Sequence, residues 1–393
     1  RGTGGAGRAS TRQSTRCSAR WRRRAGRSTN SRLSRDLARR MEIDRVMPET
    51  TFSWRRPTGG VLSRGRFGSI RAYYHAGIPR ARGRTVRQLV IHQAGPAASV
   101  QDSGRIGTLQ LGLPPSGAMD ADALFSGQYL LEQHADEAAI EMAYGGLLAS
   151  PSEPCDIAVT GAPTHLSIDG ISASTHTVLR VEAGQHIHII PGATGVYSYL
   201  HLAGGIDTPR ILGSRSTSAR EGVGGLEGRY LRDGDRLPLG ANKPLRNGRT
   251  ANLTSTTCAG PITLRFVPGF QYASMKPDAI AMLLGEEFLV TSKANRMGVQ
   301  LEGKAIDTGI ETLLSEATAH GAIQIPPSGR PVVLLNDRQA VGGYPKPGAV
   351  IRSDCRRLAQ ARPGQKVRFA PCSPQEADRV GWLEQHYRDT RLS

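Results

Sequence analysis

Glycine-rich stretches that also carry fixed polar side chains are the part of this sequence best suited to chemistry. They are residues 95–120, 202–229, 293–303 and 339–346. A loop as long as the first stretch, inside a compact domain, is usually functional or disordered, and glycine lets the backbone approach a ligand closely. The pattern therefore predicts a site that holds a small polar substrate.

The segment LGSRST (212–217) indicates that this substrate is an anion. The planar guanidinium of Arg215 can bind a carboxylate through two parallel hydrogen bonds, and the glycines of residues 222–228 can add backbone N–H groups. A nucleotide phosphate loop is not indicated, because the sequence contains no GxxxxGK[ST]. The alternative is that Arg215 and Ser216 only stabilise a turn.

Two further groups of polar residues could complete such a site. Asp102 can orient Arg105 in the first stretch, whereas Asp120 suits a helix N-cap better than a general base. Residues of the last two stretches supply donors that would polarise an amide or carboxylate oxygen, unless each is satisfied within its own loop. They are Asn295, Arg296, Tyr344 and Lys346.

Histidines and cysteines do not indicate a metal site or a disulfide scaffold. His186 and His188 lie two apart on a predicted strand, but no third ligand follows at a suitable spacing, so we expect surface or barrel-lining histidines. The five cysteines have no CxxC spacing, which favours a reducing cytoplasm. No stretch reaches the roughly 18 apolar residues of a membrane span, so we expect no membrane association.

Most of the sequence after residue 87 is predicted to be β structure, because short alternating apolar runs are separated by Gly, Pro, Asp or Ser. A turn-then-strand pattern occurs three times, as GQHIHI (184–189), GDRLPL (234–239) and GQKVRF (364–369). The repetition predicts two related β-rich halves, each a barrel or a sandwich, joined by a polar linker.

Three helices are expected between these strands. The first covers residues 120–133, with acidic residues near its positive N-terminal end. The second covers residues 277–288 and begins with Pro277. The third follows a capping box formed by Ser373 and Glu376.

The formal net charge of +18 belongs to the N-terminal end of the sequence. Residues 1–87 contain 23 Arg, no Lys and four acidic residues, which gives +19 and leaves −1 for residues 88–393. This segment is poor in large apolar residues, so we expect a basic low-complexity tail that is disordered or not translated. A polyanion-binding arm and an organelle transit peptide are the alternatives. The nearly neutral body indicates no specific nucleic-acid partner.

Six segments occur in the order typical of one known family. They are SVQDSGRIG (99–107), PPSGAMDADAL (114–124), LGSRST (212–217), NRMG (295–298), GAIQIP (321–326) and GGYPK (342–346). Through them the sequence resembles the biotin-dependent carboxyltransferase family, which includes the C-type subunit of 5-oxoprolinase, also called allophanate hydrolase subunit 2 or the KipA-like group. Two positions depart from the family pattern: Val341 replaces a common Thr, and Ala294 a common Ser.

The resemblance implies a mainly β fold of two cyclophilin-like β-barrel domains with a few short helices. The expected boundaries are 88–245 for the first carboxyltransferase-type barrel, 246–260 for the linker, 261–371 for the second barrel and 372–393 for a C-terminal helix. The residues assigned to catalysis are Arg215, Ser216, Tyr344 and Lys346. The residues assigned to substrate binding are Asp102, Arg105, Asn295, Arg296 and Gln324.

The implied activity is that of a cytoplasmic 5-oxoprolinase component, whose complex hydrolyses 5-oxoproline to glutamate with ATP. ATP would be used through the complex, together with a second carboxyltransferase-type subunit (B-like) and a larger A-like subunit. One alternative is a carboxyltransferase component of a urea carboxylase system, with biotin on a partner, because SMKP (274–277) is not the biotin-attachment sequence AMKM. The other is a KipA-like regulatory binding module without turnover.

Overall fold

The computed structural model describes residues 87–241, 245, 260–311 and 313–392, all of which belong to one compact unit, Phe67–Ser393. The predicted basic tail, apart from Arg87, and the predicted linker, apart from Gly260, lie outside the described residues. Residues 87–241 are called the N-terminal half below, and residues 260–392 the C-terminal half.

The N-terminal half consists of two antiparallel sheets around one apolar core. Its strands are β1 (Gln88–Ala94), β2 (Ser99–Gln101), β3 (Ala139–Ala143), β4 (Leu147–Pro151), β5 (Cys155–Gly161), β6 (Thr164–Ile168), β7 (Ile171–Ala173), β8 (Leu179–Val181), β9 (Ile187–Pro191), β10 (Tyr197–Leu202) and β11 (Arg236–Pro238). The sheet orders are β11-β1-β4-β9-β6-β7 and β2-β3-β10-β5-β8. Alternate residues of both sheets, such as Leu89, Ile157 and Ile187, are fully buried between them. Burial of such side chains contributes about 1.5–3 kcal/mol each, so this core holds the half together.

The C-terminal half is built around a closed seven-stranded barrel. Its strands are β12 (Ile262–Pro268), β13 (Phe288–Asn295), β14 (Gly298–Glu302), β15 (Glu316–Ala317), β16 (Ala322–Gln324), β17 (Val332–Leu334), β18 (Val341–Gly342), β19 (Gly348–Val350) and β20 (Lys366–Pro371). The barrel order is β12-β19-β16-β17-β14-β13-β20. Only the closing pair β12–β20 is parallel among the barrel's strand pairs. Strands β15 and β18 pair with each other outside the barrel, as a short ribbon.

The described part of the chain contains four α-helices, one more than expected. They are α1 (Ala121–Leu130), α2 (Pro277–Gly285), α3 (Arg352–Ala359) and α4 (Pro374–Leu392). The expected caps are present: Asp120 accepts a hydrogen bond from the N–H of Ala123 at 3.1 Å, and Ser373 from that of Glu376 at 3.1 Å. Helix α3 was missed because the residue before it, Ile351, supplies no side-chain cap and therefore no start signal.

The repeated turn-then-strand pattern forms the same structure three times. Gly184, Gly234 and Gly364 have φ of 79°, 86° and 88°, in the left-handed region that favours glycine. The side chain of the next residue accepts a hydrogen bond from the backbone N–H three positions earlier, at 2.8, 2.8 and 3.4 Å. These turns lead into β9, β11 and β20, as the sequence predicted.

A second apolar core joins the two halves. It contains Tyr197 and Leu124 of the N-terminal half together with Phe266, Phe288 and other barrel residues. Helix α1 contributes to this core, as do Ala139 and Tyr199 of the five-stranded sheet, whose neighbours Ile140 and Leu200 face the first core. The predicted mainly β fold with a few short helices is confirmed; the closed barrel is in the C-terminal half, and two sheets form the N-terminal half.

Candidate active site

Asp102 lies at the centre of a buried hydrogen-bond cluster that holds the LGSRST segment. Its side chain is 2% exposed and accepts hydrogen bonds from the hydroxyls of Ser214 and Ser216 at 2.6 and 2.5 Å. It also accepts from the backbone N–H of Arg215 at 2.6 Å and from that of Gly104 at 2.8 Å. Since four donors converge on one carboxylate, Asp102 fixes the relative position of two loops that are far apart in sequence.

Ser216 and Arg105 belong to the same cluster. Ser216 is fully buried, and its Oγ also accepts a hydrogen bond from the N–H of Asp102 at 3.0 Å. Arg105 is 3% exposed and donates to the carbonyl oxygens of Ile211 and Ser216 at 3.2 and 2.5 Å. Both predicted site residues therefore stabilise the LGSRST segment from within the fold.

The glycines that follow LGSRST fold back onto this cluster. Gly224 has φ of 78°, and a Cβ there would overlap the carbonyl oxygen of Ser216. The N–H groups of Gly225 and Gly228 donate to the carbonyl oxygens of Arg215 and Gly224, both at 2.7 Å. These two amides are used inside the loop and are not available to an anion.

Arg215 lines a cavity of about 410 Å³ together with His134 and Glu137. Its Nε donates to the carbonyl oxygen of Thr208 at 2.9 Å, and its Nη2 pairs with Asp207 at 2.5 Å. Its Nη1 is buried, and none of the described residues accepts a hydrogen bond from it; the same holds for the hydroxyl of Thr208. A buried donor without an acceptor costs free energy. Nη1 of Arg215 is therefore a donor that an acceptor from outside the described residues could satisfy.

Arg296 is buried where the two halves meet. It is 6% exposed, and its Nε and Nη2 bind the two carboxylate oxygens of Asp337 at 2.7 and 3.1 Å. Its Nη1 donates to the carboxylate of Glu141, and its Nη2 donates to the carbonyl oxygen of Gly117 at 2.7 Å. Arg296 therefore ties the β13–β14 turn of the barrel to β3 and the first glycine-rich loop.

Glu141 is the acidic partner of Arg296 in the N-terminal half. Its second oxygen accepts from the N–H of Met119 and the hydroxyl of Tyr199, both at 2.8 Å. Burial raises the pKa of Glu141, although Arg296 opposes this shift. Burial alone would lower the pKa of Arg296, but Asp337 and Glu141 raise it well above its usual value. The guanidinium is thus held as a cation between two acids.

Gln101 connects the Asp102 cluster to Arg296. Its Oε1 accepts from Arg296 Nη2 at 3.3 Å, and its Nε2 donates to the carbonyl oxygen of Thr217 at 3.1 Å. The neighbouring Asn295 is exposed, and its Oδ1 accepts from the N–H of Met297 at 2.8 Å, which shapes the NRMG turn. Asp102, Arg105, Ser216 and Arg296 therefore belong to one hydrogen-bond network, which Gln101 connects.

Gln324 and Lys346 meet around Gly342, in a separate group on the barrel. Gln324 is 3% exposed, and its Oε1 accepts from Gln339 Nε2 at 3.1 Å. Its Nε2 is buried, without an acceptor among the described residues. A Cβ on Gly342 would lie 2.5 Å from this nitrogen. The ammonium of Lys346 lies 3.3 Å from the carbonyl oxygen of Gly342.

Lys346 and Tyr344, the two candidate residues of the GGYPK segment, have different environments. The ammonium of Lys346 pairs with Glu316 at 2.9 Å and donates to the carbonyl oxygen of Tyr344 at 3.1 Å, so it anchors the loop. Tyr344 is 47% exposed and lines a second cavity of about 560 Å³ with Asp307 and Ile325. Tyr344 is therefore the accessible residue of the pair.

Sequence reasoning missed the side chains that complete these groups. Glu141 and Asp337 lie in or just after ordinary strand segments, whereas Thr208 and Gln339 lie inside two of the glycine-rich stretches but were not singled out there. Nothing in their spacing marks them, because the contacts that define them join distant parts of the chain. A search for buried acids facing a predicted arginine could find them only once the fold is known.

The histidines have separate environments. His201 is 1% exposed, and burial lowers its pKa to about 3; its Nε2 lies 3.1 Å from Thr160 Oγ1. The side chain of His186 is half exposed, and its ring centroid is 5.1 Å from that of His92. In the described ranges, no group of three or more His, Cys, Asp or Glu side chains could hold a metal ion. Among the described helices, none combines the length and apolar character needed to cross a membrane.

Comparisons with known proteins match most of the chain. Residues 111–371 match the family model described as carboxyltransferase domain, subdomain A and B. The chain is 36% identical over 300 residues to the C-type subunit of the Escherichia coli K12 5-oxoprolinase, covering 76% of this chain and 96% of that protein. It is 30% identical to the urea amidolyase of Saccharomyces cerevisiae, covering 71% of this chain and 16% of that protein. The crystal structure of the K. lactis urea amidolyase superposes with a TM-score of 0.72 at 22% identity, covering 79% of this chain and 20% of that one.

Proposed function

The chain belongs to the family of carboxyltransferase domains with subdomains A and B, and from this premise we propose that it is the C-type subunit of an ATP-dependent 5-oxoprolinase. In this proposal it acts in the cytoplasm with a B-like carboxyltransferase-type subunit and a larger A-like subunit. The complex opens the lactam ring of 5-oxoproline with water to give glutamate. The observation that carries the proposal is the near-complete coverage, 96%, of the Escherichia coli C-type protein at 36% identity.

Arg215 is the residue that we assign to the substrate carboxylate. Its buried Nη1 has no acceptor among the described residues, and it lines a cavity of about 410 Å³, which accommodates a molecule the size of 5-oxoproline. Asp102, Arg105 and Ser216 hold the Arg215 backbone and the loop around it. Their role is to position the guanidinium, since a misplaced binding group loses much of its effect.

The barrel residues form a separate group, and Tyr344 lines a different cavity from Arg215, so we propose this group as an alternative position for oxygens of the substrate or intermediate. Gln324 offers a buried amide donor, Tyr344 offers an accessible phenol, and Lys346 fixes the loop that carries Tyr344. Donors held in place before reaction stabilise charge that develops on an oxygen. Arg296 and Asn295 shape the NRMG turn of the same barrel.

ATP does not fit the glycine-rich loop of this chain. A phosphate cradle needs backbone N–H groups that point outward. The amides of Gly225 and Gly228 instead donate within the loop, and the backbone of Gly224 packs against the carbonyl oxygen of Ser216. We therefore assign ATP binding to a partner subunit.

Biotin attachment on this chain is also not supported. Lys276 of the SMKP segment pairs with Asp307 at 2.6 Å, and Pro277 begins helix α2 directly after it. Under the urea carboxylase alternative, biotin would arrive on a partner. The observation that keeps this alternative is the 30% identity to a urea amidolyase, of which the chain spans only 16%.

Reconstitution tests the proposal. Full-length chain and the two candidate partner subunits from the same genome are combined, and glutamate release from 5-oxoproline is followed with and without ATP. We expect release that requires both ATP and this chain. Avidin-sensitive carboxylation of urea in place of glutamate release would transfer the chain to the carboxyltransferase alternative. Tight association without any turnover would favour the regulatory module.

Replacement of Arg215 tests the binding assignment. Arg215→Gln should lower kcat/KM for 5-oxoproline about 100-fold, equivalent to about 2.7 kcal/mol, because a charge-assisted hydrogen bond to the substrate is lost. Arg210→Gln is the matched control, since Arg210 is a nearby arginine that pairs with Asp136 at 2.6 Å. Equal activity of the two variants would remove Arg215 from the site.

A further inference from the structure

The side-chain amide of Gln324 is held in one orientation by a neighbouring glutamine. Gln339 Nε2 donates to Gln324 Oε1 at 3.1 Å, so the oxygen of the Gln324 amide is occupied and its nitrogen points the other way. That nitrogen is buried, and no described residue accepts from it. An unpaired buried donor is costly, by about 1–3 kcal/mol. Its retention is explained if a ligand supplies the missing acceptor.

The backbone of Gly342 packs closely against this nitrogen. A Cβ on Gly342 would lie 2.5 Å from Gln324 Nε2, closer than a side chain can approach without displacing the amide. The next residue, Gly343, differs: a Cβ there would meet the backbone oxygen of Leu313 at 3.3 Å and the hydroxyl of Ser315 at 3.4 Å. Neither glycine has a φ in the left-handed region, so alanine meets no left-handed strain at either position.

We propose that Gln339 is a positioning residue that turns the Gln324 amide so that its nitrogen binds an acceptor oxygen of the substrate, in a subsite bounded by Gly342. The ligand group is a carbonyl or carboxylate oxygen, since the subsite presents a donor. The inference rests on the proposed function for the identity of the substrate, but the geometry stands on the described residues alone.

The β15–β18 ribbon covers this subsite. Gly342 is the last residue of β18, and it pairs with Glu316 of β15. Three polar contacts tie the ribbon to its surroundings: Lys346 to Glu316 at 2.9 Å, Gln271 to Glu316 at 2.6 Å, and the Thr318 N–H to the Ala340 carbonyl oxygen at 3.0 Å. With two residues per strand, the ribbon has few bonds to break when it moves outward to admit a substrate oxygen.

Exchange of Gln339 tests the orientation. In Gln339→Glu a carboxylate replaces the donor, so the Gln324 amide should rotate by half a turn and present its oxygen to the subsite. Gln339→Met removes the donor without adding charge. In the reconstituted complex, we expect KM for 5-oxoproline to rise at least tenfold in Gln339→Glu and about threefold in Gln339→Met, with kcat nearly unchanged, because ground-state binding is what is lost.

A double-mutant cycle separates positioning from a general structural effect. If Gln339 acts through Gln324, then Gln339→Glu should change KM little in a Gln324→Ala background. An equally large rise in that background would overturn the proposal. The glycine pair gives a second test: Gly342→Ala should raise KM about tenfold, and Gly343→Ala should leave it at the wild-type value.

A direct readout keeps the inference separate from the proposed activity. The Gln324 side-chain amide is assigned in a 15N-correlated NMR spectrum of the full chain by its loss in Gln324→Ala. Titration with 2-pyrrolidinone tests a lactam carbonyl, and titration with acetate tests a carboxylate. At least one should shift the amide resonance in the wild type and in Gly343→Ala, but not in Gly342→Ala or Gln339→Glu. No shift with either probe, or the same shift in all variants, overturns the proposal. If the shift is seen but the complex does not use 5-oxoproline, only the proposed function fails.

Discussion

Replacement of Arg296 by alanine should destabilise the protein far more than the loss of an ordinary surface ion pair. The guanidinium is 6% exposed and is the cation that both Glu141 and Asp337 contact. Its removal leaves Glu141, which is 1% exposed, with two neutral donors and no positive charge. Loss of one partner of a buried pair costs about 3–5 kcal/mol, so we expect Arg296→Ala to lie in that range.

A surface arginine in the same half of the protein, Arg330, is the control for this prediction. Arg330 pairs with Glu302 at 3.5 Å, with side chains 48% and 56% exposed. Such exposed pairs contribute about 0–1 kcal/mol because water screens them. Urea denaturation of the full chain, followed by circular dichroism at pH 7.5, measures the free energy of unfolding of the wild type, Arg296→Ala and Arg330→Ala.

The pH dependence of the Arg296 effect gives an internal check. Burial already raises the pKa of Glu141, and without Arg296 this pKa should rise further. A carboxyl whose pKa is raised in the folded state destabilises the fold at high pH and loses this effect once protonated, so the deficit of Arg296→Ala should be smaller at pH 5 than at pH 8. A cost no greater than that of Arg330→Ala, or a deficit that grows as the pH falls, would refute the reasoning.

Two further predictions concern burial elsewhere in the fold. Burial lowers the pKa of His201 from 6.5 to about 3, so its stabilising contribution is complete above pH 6.5 and is lost as the pH falls towards 3. Between pH 8 and pH 5, the free energy of unfolding of the wild type should therefore fall by about 2 kcal/mol more than that of His201→Gln. The control His165→Gln, at an exposed position, should follow the wild type in the same denaturation series. Gly224→Ala should lower the melting temperature markedly, because its Cβ would overlap a backbone oxygen, whereas Gly222→Ala, at a similar φ of 67° but with nothing within 4 Å, should show only the smaller cost of a left-handed alanine. Equal shifts in the two glycine variants, measured by differential scanning calorimetry, would show that loop packing does not matter there.

Local sequence signals predicted the parts of the fold that depend on neighbouring residues. The three turn-then-strand segments, the Asp120 cap and the Ser373 cap appear where expected, because their hydrogen bonds join residues at most three positions apart. Helix α3 lacks such a signal and was missed. The division of the N-terminal strands into two sheets also could not be read from the sequence, since alternation specifies one buried face but not which strands pair.

The candidate site shows the same limit at the level of individual side chains. Arg215, Arg105 and Arg296 look equivalent in the sequence, as arginines in glycine-rich segments. In the fold, Arg296 binds two acids, while Arg215 keeps a buried nitrogen without an acceptor among the described residues. The type of residue predicts what it can bind; the number of its donors already used decides whether it is left for a ligand.

The number of hydrogen-bonding groups already used also separates residues that only shape the loops from residues that could bind a ligand. Asp102 receives four hydrogen bonds and Ser216 is fully buried, so both define loop geometry. Gln324 uses its oxygen and leaves its nitrogen buried without an acceptor in the described ranges. Buried polar groups that are left unsatisfied are rare in folded proteins and call for a partner. The unmatched nitrogens of Arg215 and Gln324 are therefore two positions at which an oxygen atom of a substrate would supply a missing hydrogen-bond acceptor.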